Sequence, residues 1–553
     1  MSKTRSIRAL RVAVILPLLA PALLTSCAAK GGGSGTFSVA ISPVVPTNQT
    51  PFSGLDDIAM AVVGADGSQT QYDLGTPASG LTMSGTSIPA LADDALLFEG
   101  SSGGTIVSRG ETAPLTASKG SATSSTVMFG SVDAVGWIGS LAAPVAGPMI
   151  VPIGGGNFDV IGGVGLTSGV WLRDYTSVQR ISLSAPSEDL LPATVADAPT
   201  WTDLAGKTQQ GWYGSSMVVI PLGADAGKVF IGGGGPSPGL VDSTAVTPGV
   251  WLYDPATATF DALGDVAGLA SPRSEAPTVL DPQGGIVMWG GWAQYHDNGY
   301  VSINGTVEVW DPNTQRGSSV SSRDGGGNLD PSSVPMYDGA GASLGADGEL
   351  FCGGGLLGTG GSIAEWTTSP TCNQVTAGHK ITPADDLPAP LAGLAMITLQ
   401  DGTILATGGS TETSPKQFDF SSTSPASAGA YLYDPAANAG RHWSAVGDMK
   451  VARAGHRMVL LPDGRVLVVG GSDTYGPDLI LGSGLSCVEV YDPATQTFSD
   501  FTACDASSDT DGLAGRAVVP GIAIDPDYGV VIAGGTIDYG TAQDAINVVM
   551  FGG

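Results

Sequence analysis

The chain has 553 residues, of which 83 are glycine, 37 are proline and only 13% are charged. This density of turn-forming residues leaves few windows long enough for a helix, and the aliphatic runs between the turns are rich in β-branched residues. The composition therefore predicts an all-β protein built from short strands. The formal net charge is −29. An acidic surface repels nucleic acid and anionic lipid headgroups, so neither is an expected partner.

The N-terminus has the pattern of a secretion signal. Four basic residues lie between Lys3 and Arg11, and the apolar stretch 12–24 that follows is short and broken by two prolines. Such a segment is too short and too interrupted to span a bilayer stably, so it is predicted to be a cleaved signal peptide. Leu24-Thr25-Ser26-Cys27 then resembles the lipobox of bacterial lipoproteins, which implies removal of residues 1–26 and lipidation of Cys27. The alternative is an ordinary signal peptide followed by a coincidental cysteine.

Residues 27–35 form a glycine-rich stretch that predicts a flexible tether. Loss of residues 1–26 removes four positive and no negative charges, so the net charge changes from −29 to −33. The expected location is the bacterial cell envelope, with the membrane as a partner through the lipid. Ala28 after the lipobox cysteine favours the outer membrane, by resemblance to the sorting of enterobacterial lipoproteins.

Four further cysteines make two disulfides plausible in an exported chain. Cys487 and Cys504 flank two strand-like runs that would form a hairpin, so this pair is the clearer prediction. Cys352 with Cys372 is the remaining pair, although its flanking runs do not pair as simply. No cluster of cysteine and histidine has metal-ligand spacing, so no metal site or cofactor is predicted.

A glycine doublet that ends an apolar run recurs with a mean spacing of 62 residues between Gly162 and Gly534. The clearest copy is 453–471, which has the pattern strand, Pro-Asp-Gly turn, strand, Gly-Gly. A third strand ending in Tyr-Asp-Pro and a fourth strand with one aromatic residue follow. Runs 169–172 and 249–252 are near-identical candidate third strands, and Trp201 and Phe498 are among the candidate fourth-strand aromatics. Each unit is thus predicted to be a four-stranded antiparallel sheet that is buried by its neighbours.

This pattern resembles the kelch repeat, whose hallmark is the Gly-Gly doublet after the second strand. The resemblance covers residues 131–553 and implies a kelch-type β-propeller. There are seven clear repeats, and the last one lacks its fourth strand. Either 36–39 or 135–138 supplies that strand. The first option makes 36–130 a degenerate eighth blade and is slightly favoured; the second makes it a small extra domain.

No catalytic residue is predicted, because the chain has only four histidines and no reactive constellation. His456 precedes a first strand, where kelch units carry residues for packing and hydrogen bonds between blades. Copper radical oxidases also use a kelch-like propeller, and Tyr295, His296, Tyr337 and His379 are candidate ligands only on paper. A copper or other carbohydrate-active enzyme is therefore the alternative function.

The favoured function is a binding scaffold for an envelope protein or a polysaccharide. Four residues lie off the repeat pattern in the long insertion after Gly291, namely Trp292, Tyr295, His296 and Tyr300. Aromatic side chains that lie in loops outside the repeat pattern are typical of residues that contact a ligand or a partner. This insertion is therefore the candidate binding loop, unless it folds back to cap the channel.

Overall fold

The computed structural model describes residues 27–28 and most of the range 36–551. The residues between 36 and 551 that are not described are 73–90, 118–121, 168–169, 175, 187–191, 203–207, 211, 213, 236–246, 264–267, 296–300, 304–305, 321–338, 358–364, 413–415, 418–423, 476–482, 503–511, 515–516 and 539–540. Within the described part every regular element is a strand, apart from the short 3-10 helix Gly345–Asp347. The prediction of an all-β protein is confirmed.

Seven four-stranded antiparallel sheets form the body of the described chain, and we number them as blades 1 to 7. From first to fourth, the strands of blade 1 are Met149–Gly154, Asn157–Ile161, Ser177–Ser182 and Ala193–Asp197. Those of blade 2 are Ser216–Val219, Val229–Gly232, Val250–Asp254 and Thr259–Ala262. Those of blade 3 are Thr278–Leu280, Ile286–Trp289, Val307–Asp311 and Arg316–Val320.

Blades 4 to 7 repeat the same order. Blade 4 has Ala340–Ser343, Gly348–Cys352, Cys372–Thr376 and Ile381–Pro383, and blade 5 has Ala392–Thr398, Ile404–Ser410, Ala430–Tyr433 and Trp443–Ala445. Blade 6 has Arg457–Leu460, Val466–Val469, Val488–Asp492 and Thr497–Asp500. Blade 7 has Gly521–Asp525, Gly529–Ala533, Ala545–Met550 and, as its fourth strand, Ala134–Ser140. First strands of successive blades contact each other, and that of blade 7 contacts that of blade 1, so the sheets close into a ring.

The ring has two different ends. The glycine doublets and the insertions between second and third strands lie at one end, which we call the doublet face. The tight turns between first and second strands and between third and fourth strands lie at the other end, the turn face. This division follows from the antiparallel order of every blade.

The doublets let neighbouring blades approach closely. Gly408 has φ of 63°, and a Cβ there would collide with the backbone carbonyl of Arg453 in the next blade. Gly409 has φ of 86° and donates its N–H to that same carbonyl at 2.9 Å. Only glycine adopts this backbone and leaves this space without strain. The structural role predicted for the doublets is confirmed here.

Blade 7 is closed by Ala134–Ser140, in which Val135 pairs with Val549. The other candidate, Thr36–Val44, pairs in parallel with Ala122–Met128 instead. The favoured count of eight blades is therefore wrong for the described chain, because the described strands between residues 36 and 131 form two sheets of their own.

The N-terminal domain has its own sheets and core. Its strands are Cys27–Ala28, Thr36–Val44, Asp57–Val63, Gln69–Tyr72, Leu91–Ser102, Thr105–Glu111, Leu115–Ala117, Ala122–Met128 and Gly130–Ser131. Met60, Leu96 and Phe98 are buried in its core. The domain packs on the turn face, where the hydroxyl of Tyr528 donates to the carbonyl of Thr112 at 3.2 Å.

Short hairpins decorate the blades. They pair Val164–Thr167 with Val170–Asp174, Thr200–Thr202 with Thr208–Gln210, Trp292–Tyr295 with Val301–Ile303, Gly355–Leu357 with Glu365–Thr368 and then Lys416–Gln417, Ser424–Pro425 with Thr474–Tyr475, and Thr536–Asp538 with Thr541–Ala542. Run 169–172 was expected to be a third strand, and Trp201 to lie on a fourth strand. Both expectations are wrong, because residues 170–172 and Trp201 belong to the first two hairpins.

The structure contains no helix in its described part that has the length and apolar character needed to cross a membrane.

Candidate functional site

A cavity of about 410 Å³ opens at the doublet end of the central channel, and all seven blades line it. Most lining residues lie just before or at the start of the first strands. Most are small or apolar, including Met149, Met217 and Leu394. The charged or titratable lining residues are Glu275, His456 and Arg457. A cavity of this size with a few polar groups is typical of a small-ligand site.

Buried ion pairs fix two segments that lead into this cavity. In blade 3 the guanidinium of Arg273 contacts Glu308 at 2.9 Å, and both side chains are fully buried. Arg273 also donates to the carbonyls of Gly290 at 3.1 Å and Thr306 at 3.2 Å. Arg273, which lies just before the first strand of blade 3, therefore hydrogen-bonds to both ends of the insertion that follows the glycine doublet of this blade. The chain reaches Glu275 two residues later.

Blade 6 has the same arrangement. Arg453 forms an ion pair with Glu489, and both side chains are fully buried. Arg453 donates to the carbonyl of Gly470 at 2.7 Å. The carboxylate of Glu489 accepts the backbone N–H of Lys450 at 2.7 Å. This repeated pair sets the position of the segment that carries His456 and Arg457.

His456 is buried at the cavity wall and hydrogen-bonds through Nε2 to Thr407 Oγ1 of blade 5 at 2.8 Å. Burial, reinforced by the charges of Arg453 and Arg457, holds the pKa of His456 well below its usual range. The imidazole is therefore neutral and joins two blades. The predicted hydrogen bond between blades is confirmed.

The candidate binding loop is partly a β-hairpin on the doublet face. Trp292 pairs with Ile303, and Tyr295 pairs with Val301. The base of this hairpin is close to the cavity, because the backbone of Gly291 packs against Ala276, which lines it. The side chains of Trp292 and Tyr295 are not described, and His296 and Tyr300 lie outside the described residues. Their role in binding stays a prediction.

The cysteines divide into three cases. Cys352 and Cys372 form a disulfide, and they are direct partners across the second and third strands of blade 4. Their flanking runs therefore pair simply, contrary to the expectation. Cys487 is buried just before the third strand of blade 6, but Cys504 lies outside the described residues. The backbone of Cys27 pairs with Phe37, and its lipidation stays a prediction.

Of the four candidate copper ligands, the two in the described part of the chain, Tyr295 and His379, lie at opposite ends of the ring. His379 lies on the turn face, where its Nε2 is 3.2 Å from Asp281 Oδ2, whereas the strand of Tyr295 lies on the doublet face. His442 is also at a turn, 2.6 Å from Asp385. His296 and Tyr337 are outside the described residues. Among the described residues no group of three histidine, cysteine or acidic side chains is placed to hold a metal ion.

The fold is a kelch-type β-propeller. Residues 453–502, which make up most of blade 6, match the Kelch motif. One similar solved structure is a fungal alcohol oxidase of the AA5 family in complex with copper, with 15% identity, a TM-score of 0.45, and coverage of 74% of this chain and 75% of that chain. Another is YjhT, with 12% identity, a TM-score of 0.42, and coverage of 65% and 98%. No curated protein sequence matches the chain significantly.

Glu275 and Arg457 were missed by the sequence analysis as cavity-lining residues. The signal was present for both, because each follows a recognisable repeat position. Arg457 comes four residues after Arg453, and Glu275 comes two residues after the equivalent Arg273. Aligning the starts of the first strands across blades would have placed both at the channel.

Proposed function

We propose that the protein is a lipid-anchored component of the bacterial cell envelope whose propeller binds an envelope protein or a polysaccharide at the doublet face. The observation that carries this proposal is the cavity of about 410 Å³ to which all seven blades contribute. A closed ring of sheets gives this site rigid walls, and the insertions around it supply a broader rim.

The anchor and the cavity would lie at opposite ends of the molecule. The N-terminal domain packs on the turn face, where Ala113 N–H donates to the carbonyl of Ser184 at 2.9 Å and Arg109 donates to the carbonyl of Phe551 at 3.4 Å. The strand Thr36–Val44 runs toward this contact, since Val44 packs in the core shared with blades 1 and 7. A lipid at Cys27 would therefore leave the cavity facing away from the membrane.

The binding proposal is tested by replacing the aromatic residues beside the cavity. Trp292→Ala combined with Tyr295→Ala should weaken capture of the partner from envelope extract while leaving the melting temperature almost unchanged. Leu222→Ala is the matched control, because Leu222 is 57% exposed and lies on a turn of blade 2 at the opposite face. A large fall in melting temperature for the double variant would show that the hairpin is core and would count against the proposal.

The anchoring proposal has its own test. Cys27→Ser should abolish lipid labelling and move the protein to the soluble fraction or leave it as precursor. Mature protein that remains labelled and membrane-bound after this change would refute lipidation at Cys27. This result would leave the binding proposal standing.

A further inference from the structure

The mouth of the channel is framed by a ring of backbone in the left-handed conformation. Six of the seven blades have a described residue with positive φ shortly before or at the start of the first strand. These residues are Gly147, Gly214, Glu275, Gly393, Gly455 and Val519, with φ between 49° and 68°. Four of them are glycine, as expected for this conformation. Glu275, with φ of 54°, and Val519, with φ of 49°, are the exceptions.

Contacts between blades impose this conformation. The N–H of Glu275 donates to the carbonyl of Gly214 at 2.6 Å, and that of Gly455 donates to the carbonyl of Gly393 at 2.9 Å. The N–H of Val519 donates to the carbonyl of Gly455 at 3.0 Å. A side chain at such a position strains the backbone, whereas glycine adopts the same conformation without strain. The fold itself therefore favours glycine at position 275.

Glu275 is also the one acidic residue that lines the cavity in the described chain. Arg457 of blade 6 lines the same cavity, and the hydroxyls of Ser215, Ser216 and Thr278 are nearby in its wall. One carboxylate and one guanidinium cancel in charge, so the cavity favours neither cations nor anions. The carboxylate accepts hydrogen bonds, the guanidinium donates them, and the remaining wall is largely apolar.

We propose that Glu275 contacts the ligand directly and that the ligand presents a neutral, hydroxyl-rich sugar unit to the channel mouth. Sugar hydroxyls donate to a carboxylate and accept from a guanidinium, while the C–H faces of the ring pack on apolar walls. A strained residue that persists where glycine fits better is typical of a functional site. This inference rests on the proposed binding function and selects the polysaccharide over the protein partner for the cavity.

The test uses Glu275→Gly in the full mature protein, purified in detergent. Glycine removes the carboxylate and the backbone strain together, so the melting temperature should stay the same or rise. Binding of neutral oligosaccharides, measured by calorimetry with maltotriose, cellotriose and chitotriose, should fall about tenfold or more for those that bind the wild type. Glu275→Gln should also weaken binding, but less, because the amide still accepts hydrogen bonds.

Gln496→Gly is the strain control. Gln496 has φ of 55° in an exposed turn on the turn face, so its replacement also relieves strain but leaves the cavity untouched. It should bind sugar as the wild type does. The inference is overturned if Glu275→Gly binds as tightly as the wild type, if it lowers the melting temperature, or if no neutral oligosaccharide binds the wild type, whether or not trilysine does. Unchanged binding in Glu275→Gly, together with loss of binding in the Trp292 and Tyr295 double variant, would refute only the role of Glu275.

Discussion

Blades 6 and 4 are built on the same strand order but are held together by different chemistry. Where the second strand ends and the third begins, blade 6 pairs Val469 with Val488, whereas blade 4 pairs Cys352 with Cys372 through a disulfide. At the next residue of the third strand, blade 6 has Glu489 and blade 4 has Asn373. The repeat thus determines which positions of the second and third strands pair. It does not determine which interaction stabilises that pair.

The two blades also differ near the start of the second strand. Val466 of blade 6 is fully buried among apolar side chains. The residue at the corresponding register in blade 4 is Glu349, which is fully buried and whose carboxylate oxygens have no hydrogen-bond partner. Burial raises the pKa of Glu349 to about 8, with a further contribution from Asp281. Blade 4 therefore carries a disulfide and an unpaired carboxyl group where blade 6 carries valines.

The largest expected effect comes from the ion pair of blade 6. Arg453→Met leaves Glu489 buried without its cation and frees the carbonyl of Gly470, so the free energy of unfolding should fall by about 3–5 kcal/mol. Denaturant unfolding followed by tryptophan fluorescence measures this change. Arg465→Met is the control, because the Arg465 ion pairs are exposed and should cost at most about 1 kcal/mol. Equal effects of the two changes would contradict the importance of the buried pair.

The disulfide of blade 4 should have a somewhat smaller effect. Its cysteines are 20 residues apart in sequence. Removing a cross-link of this length by Cys352→Ala with Cys372→Ala should cost about 3 kcal/mol, chiefly by freeing the unfolded chain. Replacing both cysteines by valine imitates blade 6 and should recover part of the loss through apolar packing. If both double variants unfold at the wild-type denaturant concentration, the cross-link contributes nothing to stability.

The smallest effect, and the most specific, concerns the pH dependence of Glu349. Its pKa is about 8 in the folded protein, against 4.5 for an ordinary glutamate. The protonated form is therefore favoured by folding, and its stabilising contribution is complete below about pH 4.5 and is lost as the pH rises to about 8. Glu349→Gln should raise the melting temperature at pH 8.5 and change it little at pH 4.5. The same shift at both pH values would contradict this assignment.

The features that repeat along the chain were predictable from sequence. Gly408, Gly470 and the turn after Tyr491 lie where the pattern placed them, because a repeated unit must solve the same packing problem in every blade. The strands near Trp171 and Trp201 were misassigned, since a local strand signal does not reveal which partner the strand takes. The same limit applies to the choice between Thr36–Val44 and Ala134–Ser140, which only pairing over a long distance decides.

The candidate site was less predictable than the fold. Aromatic residues outside the repeat pattern, such as Trp292, predicted a binding loop in the insertion of blade 3. The base of the hairpin in this insertion lies beside the cavity. Glu275 carries no motif of its own, and only its spacing of two residues from Arg273 places it at the channel, where the equivalent residue of blade 6 is Gly455. A repeat pattern in the sequence predicts the residues that are the same in every blade. A site at the channel mouth depends instead on the blade whose residue differs from the others.

The pairing of Ala134 with Met550 has a consequence for the order of assembly during synthesis and export. The strand Ala134–Ser140 is synthesised about 400 residues before its partner Ala545–Met550. Blade 7 must wait for that partner, and blades 1 and 6 lack a neighbour until it forms. A chain that stops before Ala545 would therefore have an open ring, exposed blade edges and an incomplete channel.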